Sequence, residues 1–182
     1  FQDDFKQSIR DSDTFNLLFY GKLRSDILSI VTAGKLKDYA LNRCELELAL
    51  SAIESGESLI VHSDMGNGKS IFLYQLGLLL SKAGFNVFIF QRPYQSIDEE
   101  LEIITKQSEK TVILIDRYYQ YFAITKKMLK IGSPDLIFVL AERSALFDIS
   151  IGTIESILTT AHEEIDLNII HNQDINNFIE LI

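Results

Sequence analysis

Cysteine is almost absent from this sequence: Cys44 stands alone among 182 residues. An internal disulfide and a cysteine metal cluster are therefore excluded. A lone thiol suits a reducing cytoplasm, the expected location, and most often packs as a small apolar side chain. Two prolines and nine glycines are too few for long flexible linkers. Basic residues are also short, with 17 lysines and arginines against 26 acids and a formal charge of −9. A generic nucleic-acid binder carries a basic excess to neutralise phosphates, so the charge gives no sign of DNA or RNA as a partner. No apolar run approaches the roughly 18 residues needed to cross a membrane, and the first residues do not read as a signal peptide. No membrane partner is expected.

What is present is enough apolar sequence to bury the core of one domain, 47% of the residues. The chain opens on Phe1 and stops at Ile182 inside a helical pattern, so a segment of a longer polypeptide is expected.

Residues 1–55 read as a helical segment leading into the core. Leu46, Ala49, Leu50 and Ile53 repeat at the spacing of one buried helix face, and Gly56 suits its stop. Residues 56–171 then alternate strands and helices. Strands are predicted at 58–62, 87–90, 111–115, 136–140 and 165–170. Helices are predicted at 71–82, 96–107, 118–129 and 152–161. Residues 172–182 read as a final helix, the start of a following helical lid, with Asn172 as its cap. Apolar strands separated by helices signal a parallel sheet covered on both faces. The fold class expected is therefore α/β, three-layered, with an N-terminal helical extension.

Between the first strand and its helix lies Ser63-Asp64-Met65-Gly66-Asn67-Gly68-Lys69-Ser70, followed by Ile71. A phosphate-binding loop needs a strand, a glycine turn, then Lys and Ser or Thr opening a helix. Glycines let the backbone wrap around phosphate oxygens, and the helix N-terminus supplies partial positive charge. Lys69 would reach the β- and γ-phosphates, and the Ser70 hydroxyl would ligate Mg²⁺. The usual first glycine is Ser63 here. A small serine is expected to preserve the turn at some strain, and Asp64 adds a negative charge nearby.

A second strand must place an acid beside that loop to hold the metal. Asp116 follows four aliphatics, and open α/β sheets bind ligands at strand C-termini. Arg117 stands where many ATPases place a second acid, and arginine cannot act as a general base. Slow turnover or nucleotide-gated switching is therefore expected over rapid hydrolysis. Glu142 is the substitute base candidate; the alternative is a solvated surface acid. Arg143, at the end of the fourth strand, is placed to sense a γ-phosphate, or else pairs with Glu142 or Asp148. Arg43 lines an adenine pocket or lies on a helix surface. His62, His162 and His171 lack metal-ligand spacing, and Tyr118, Tyr119, Tyr121 and Phe122 read as helix packing.

Together, 41–46 (Leu-Asn-Arg-Cys-Glu-Leu), 59–61 (Leu-Ile-Val) and 66–70 (Gly-Asn-Gly-Lys-Ser) resemble the start of a STAND-type NTPase, a group related to the AAA ATPases. The 141–144 stretch (Ala-Glu-Arg-Ser) resembles the family's polar-x-Arg motif. The resemblance implies a P-loop NTPase fold with sheet order 5-1-4-3-2. It also implies ATP/ADP and Mg²⁺ as cofactors, and a nucleotide switch controlling self-association through flanking domains. Such proteins often act in bacterial antiviral defence. Two other readings stay open: an AAA-type motor acting on DNA or protein, and a degenerate P-loop scaffold.

Overall fold

The computed structural model describes residues 41–91, 110–131, 133, 135–172 and 174–176, with 12, 13, 16, 17, 24, 26, 99 and 102–104. The chain forms two compact units. One comprises Phe1–Asn42 with Asn172–Ile182. In it, Arg24 bridges Asp13 at 3.1 Å and Asp26 at 2.7 Å. The other is Arg43–His171 and contains the sheet.

The sheet unit begins with helix α1 (Glu45–Glu54), whose Leu46, Ala49 and Ile53 are buried. It ends where Gly56 N–H donates to Ile53 O and Glu57 N–H to Ala52 O, which satisfies the last carbonyls. Strand β1 (Ser58–Ser63), helix α2 (Lys69–Lys82), β2 (Asn86–Ile89) and β3 (Thr111–Asp116) follow. A 3₁₀ turn (Tyr118–Tyr121), α3 (Phe122–Leu129), β4 (Leu136–Arg143), α4 (Ser144–Glu155) and β5 (His162–Asp166) complete it.

All five strands are parallel, in the order β2-β3-β4-β1-β5. This is the expected 5-1-4-3-2 order. Parallel strands need crossovers, so the sheet is covered on two faces. Alternating strand residues divide between them. Leu59, Val61, Val112, Leu114 and Val139 pack with α1 and α2. Ile60, Ile113, Ile115, Phe138 and Leu140 pack with the 3₁₀ turn, α3 and α4. Three inner strands thus end on one edge: Ser63 pairs with Arg143, His62 with Glu142, and Asp116 with Ala141.

Two elements depart from the sequence expectation. The helix expected at 152–161 is α4, starting at Ser144 directly after β4. It buries Phe147, Ser150 and Ile154. The strand expected at 165–170 is β5, covering His162–Asp166. It lies at the sheet edge beside β1 alone, so His162, Glu163 and Glu164 are tolerated there. Most of the expected helix at 96–107 and most of the final helix lie outside the described residues. No helix among the described residues is long and apolar enough to cross a membrane.

Candidate nucleotide-binding site

The loop joining β1 to α2 is built around two left-handed glycines, Gly66 at φ 93° and Gly68 at φ 82°. A Cβ on either would meet nothing within 4 Å, so backbone conformation rather than crowding requires glycine. Ser63 is fully buried and its φ is not positive, so the strain expected from the missing glycine is absent. Among the described residues, the backbone N–H groups of residues 65–71 have no hydrogen-bond acceptor in the protein. Gly68 provides no side-chain cap to α2, and no acid lies in the helix's first turn. Donors and dipole therefore face outward, as an anion site needs.

Lys69 folds back over this loop. Its Nζ donates to Ser63 O at 2.8 Å, Ser63 Oγ at 2.9 Å and Asp64 O at 2.8 Å. Burial holds its pKa below the ordinary lysine value, opposed by the charges of Asp116 and Glu142. Both acids and Arg143 thus lie near enough to act on the ammonium. Ser70 Oγ donates to Asp116 Oδ2 at 2.6 Å, across 46 residues of sequence. Asp64, Met65 and Asn67 are exposed on the loop, and Ile71 is half-buried in the first turn of α2.

Glu142 is 2% exposed, which rules out a solvated surface acid. Its Oε2 accepts Tyr119 N–H at 2.9 Å, and its Oε1 accepts Arg143 N–H at 2.8 Å. The Arg143 side chain is exposed and, among the described residues, makes no ion pair with Glu142 or Asp148. Arg117 occupies φ 53°, a left-handed backbone, and is exposed.

Arg43 does not stand as an open pocket wall. Its guanidinium binds Glu45 at 2.8 and 3.3 Å and Ile169 O at 2.6 Å. Cys44, Glu45 and His171 also offer donor atoms within 4.8 Å of one another. Arg43 already takes both Glu45 oxygens and puts a positive charge where a cation would sit. The aromatic group behaves as packing: Tyr118 is buried, with its hydroxyl 2.7 Å from Ser150 Oγ.

Sequence reasoning missed Asn168. Its Oδ1 accepts from Asp64 N–H at 2.8 Å and Asn67 Nδ2 at 2.7 Å, and its Nδ2 donates to Ser144 Oγ at 3.1 Å. An available signal was its position just past a strand C-terminus, on the edge where open sheets bind ligands. His62 is also buried, stacked on Phe147 at 4.2 Å.

The described fold and edge define an α/β domain with an open, donor-rich loop at the C-terminal ends of its strands. Compared with known protein families and curated proteins, the sequence matches none. Among solved structures, Saccharomyces cerevisiae RIF2 is similar in fold at TM-score 0.52. It shares 12% identity over 89% of this chain and 68% of that one. The E. coli MS115-1 HORMA–CdnC–Trip13 complex aligns at TM-score 0.36 and 10% identity, over 87% of this chain and 68% of that one. The RIF2 likeness speaks to fold alone, and the second carries no argument.

Proposed function

We propose that the Arg43–His171 unit is a P-loop nucleotide-binding domain of the STAND type, which holds ATP or ADP with Mg²⁺. The observation that carries this reading is the 2.6 Å contact of Ser70 with Asp116 at the uncapped start of α2, beside Lys69. A hydroxyl and a carboxylate are hard oxygen donors of the kind Mg²⁺ takes. The unpaired amides of residues 65–71 suit polyphosphate oxygens. Bound Mg²⁺ would neutralise charge on the β- and γ-phosphates. Lys69 would exchange its Ser63 and Asp64 acceptors for phosphate oxygens, and Arg143 lies exposed where a γ-phosphate charge would be felt. Arg117 in place of a second acid, with Glu142 bound to two backbone N–H groups, favours slow turnover and a switch over a motor.

The switch would serve a larger signalling or antiviral-defence protein that self-associates through flanking domains. That wider role rests on the sequence resemblance. The test is titration with a fluorescent ATP analogue in Mg²⁺. Lys69→Ala should weaken binding by at least about tenfold, since charge-assisted hydrogen bonds contribute about 1.5–3 kcal/mol each. Equal affinity in a folded variant would overturn the reading and leave the scaffold.

A further inference from the structure

Resting on the nucleotide-binding reading, we infer that Asn168 is a positioning residue. It holds the phosphate loop in shape and carries its state to the chain leaving β5.

Of the backbone N–H groups from 64 to 71, only that of Asp64 has an acceptor among the described residues, and that acceptor is Asn168 Oδ1. The same oxygen takes the Asn67 amide at 2.7 Å. The loop is thus gripped at its start and middle, while residues 65–71 keep their donors for an anion. The orientation of the Asn168 amide follows from chemistry. Asp64 N–H can only donate, so the oxygen must face it and the NH₂ must face Ser144.

The hydrogen bonds continue in one direction. Asn168 Nδ2 donates to Ser144 Oγ. Ser144 Oγ lies 3.2 Å from His62 Nδ1, and His62 Nε2 lies 3.0 Å from Glu164 Oε1. With the imidazole proton on Nε2, each donor meets an acceptor. Ser144 directly follows Arg143 at the start of α4, so one side chain joins the loop to the polar end of β4.

Asn168 is itself fixed to the sheet. Its N–H donates to Asp166 Oδ1 at 2.8 Å, and Leu167 N–H donates to His62 O at 2.9 Å. One residue further on, Ile169 O is held by Arg43 at 2.6 Å. A change at Asn67 or Asp64 on phosphate binding therefore has a short, defined route into residues 167–171. Linkage makes the effect reciprocal: what moves this segment must alter nucleotide affinity. Placement along a route is not coupling, so the test reads coupling itself.

Hydrogen exchange is measured with and without Mg²⁺ and a non-hydrolysable ATP analogue. Wild type should gain protection in both 63–71 and 165–171. In Asn168→Ala, affinity should fall about tenfold, the scale of one or two hydrogen bonds of about 1 kcal/mol each. Nucleotide should still protect 63–71 but no longer 165–171. A loss of melting temperature alone would move neither difference. Ser144→Ala, which removes the acceptor of Asn168 Nδ2 together with the partner of His62 Nδ1, should reduce the 165–171 response with a smaller affinity change. Wild-type protection of 165–171 in both variants, with Lys69→Ala still weakening binding, overturns the role of Asn168 and leaves the nucleotide site standing. No protection anywhere in wild type overturns both.

Discussion

The ends of β3 and β4 are neighbours with similar sequences, an acid followed by arginine, yet the two acids have different surroundings. Asp116 is half-exposed and accepts a hydroxyl from Ser70. Glu142 is buried and accepts two backbone N–H groups, from Tyr119 and Arg143. Their arginines differ too. Arg117 sits in a left-handed backbone, whereas Arg143 is extended at the N-cap of α4. The lesson is that a carboxylate's role is set by what already occupies its lone pairs. Among the described residues Asp116 accepts one short side-chain hydrogen bond, which a bound metal would replace in the proposed reading. Glu142 ties the 3₁₀ turn after β3 to the end of β4, and this fastening keeps the two strand ends in register beside Lys69.

That contrast predicts distinct failures. Glu142→Gln puts an NH₂ from a buried side chain against a backbone N–H. It should lower unfolding free energy by about 1–3 kcal/mol, read by urea denaturation. A stable variant that loses only turnover would reverse the comparison and make Glu142 the base. Glu45 extends the rule to a third acid. Burial pushes its pKa up, but the Arg43 hydrogen bonds and charge, with its own backbone N–H and the Cys44 thiol, together outweigh this and hold it below the ordinary carboxylate value. Its contribution is therefore present above that ordinary value and lost as pH falls through the lowered one. Glu45→Gln should flatten this acid limb of stability, by about 1.5 kcal/mol at neutral pH, the low end for a hydrogen bond to a charged group. An unchanged pH profile would break the rule. The smallest effect concerns the β3 end. Arg117→Gly should raise stability by about 1 kcal/mol, because glycine adopts the left-handed backbone without a Cβ penalty. A loss would show that the Arg117 side chain supports the turn.

Much of the sheet was legible because its inner strands are continuous apolar runs, such as 112–115 and 136–140, as strands buried on both faces are. The glycine pair before Lys69 was legible because it punctuates strand and helix. The edge strand was misread: His162-Glu163-Glu164 lacks an apolar pattern, since β5 is covered by β1 on one side only. The start of α4 was missed because β4 runs into it without a turn residue between Arg143 and Ser144. Asn168 was missed for another reason. Its partners, Asp64, Asn67 and Ser144, are distant in sequence, and only the parallel crossover brings them together. Glu142 left two readings open, base or surface acid, because no local pattern announces the Tyr119 N–H partner 23 residues upstream.

The most direct measurement is calorimetric titration of ATP into wild type and Asp116→Asn, each with Mg²⁺ and with excess chelator. The account predicts that wild type loses at least about tenfold in affinity on chelation, roughly 1.4 kcal/mol, while the variant binds weakly and alike in both conditions. Wild-type affinity that ignores Mg²⁺, or Mg²⁺ dependence that persists undiminished in Asp116→Asn, would contradict it.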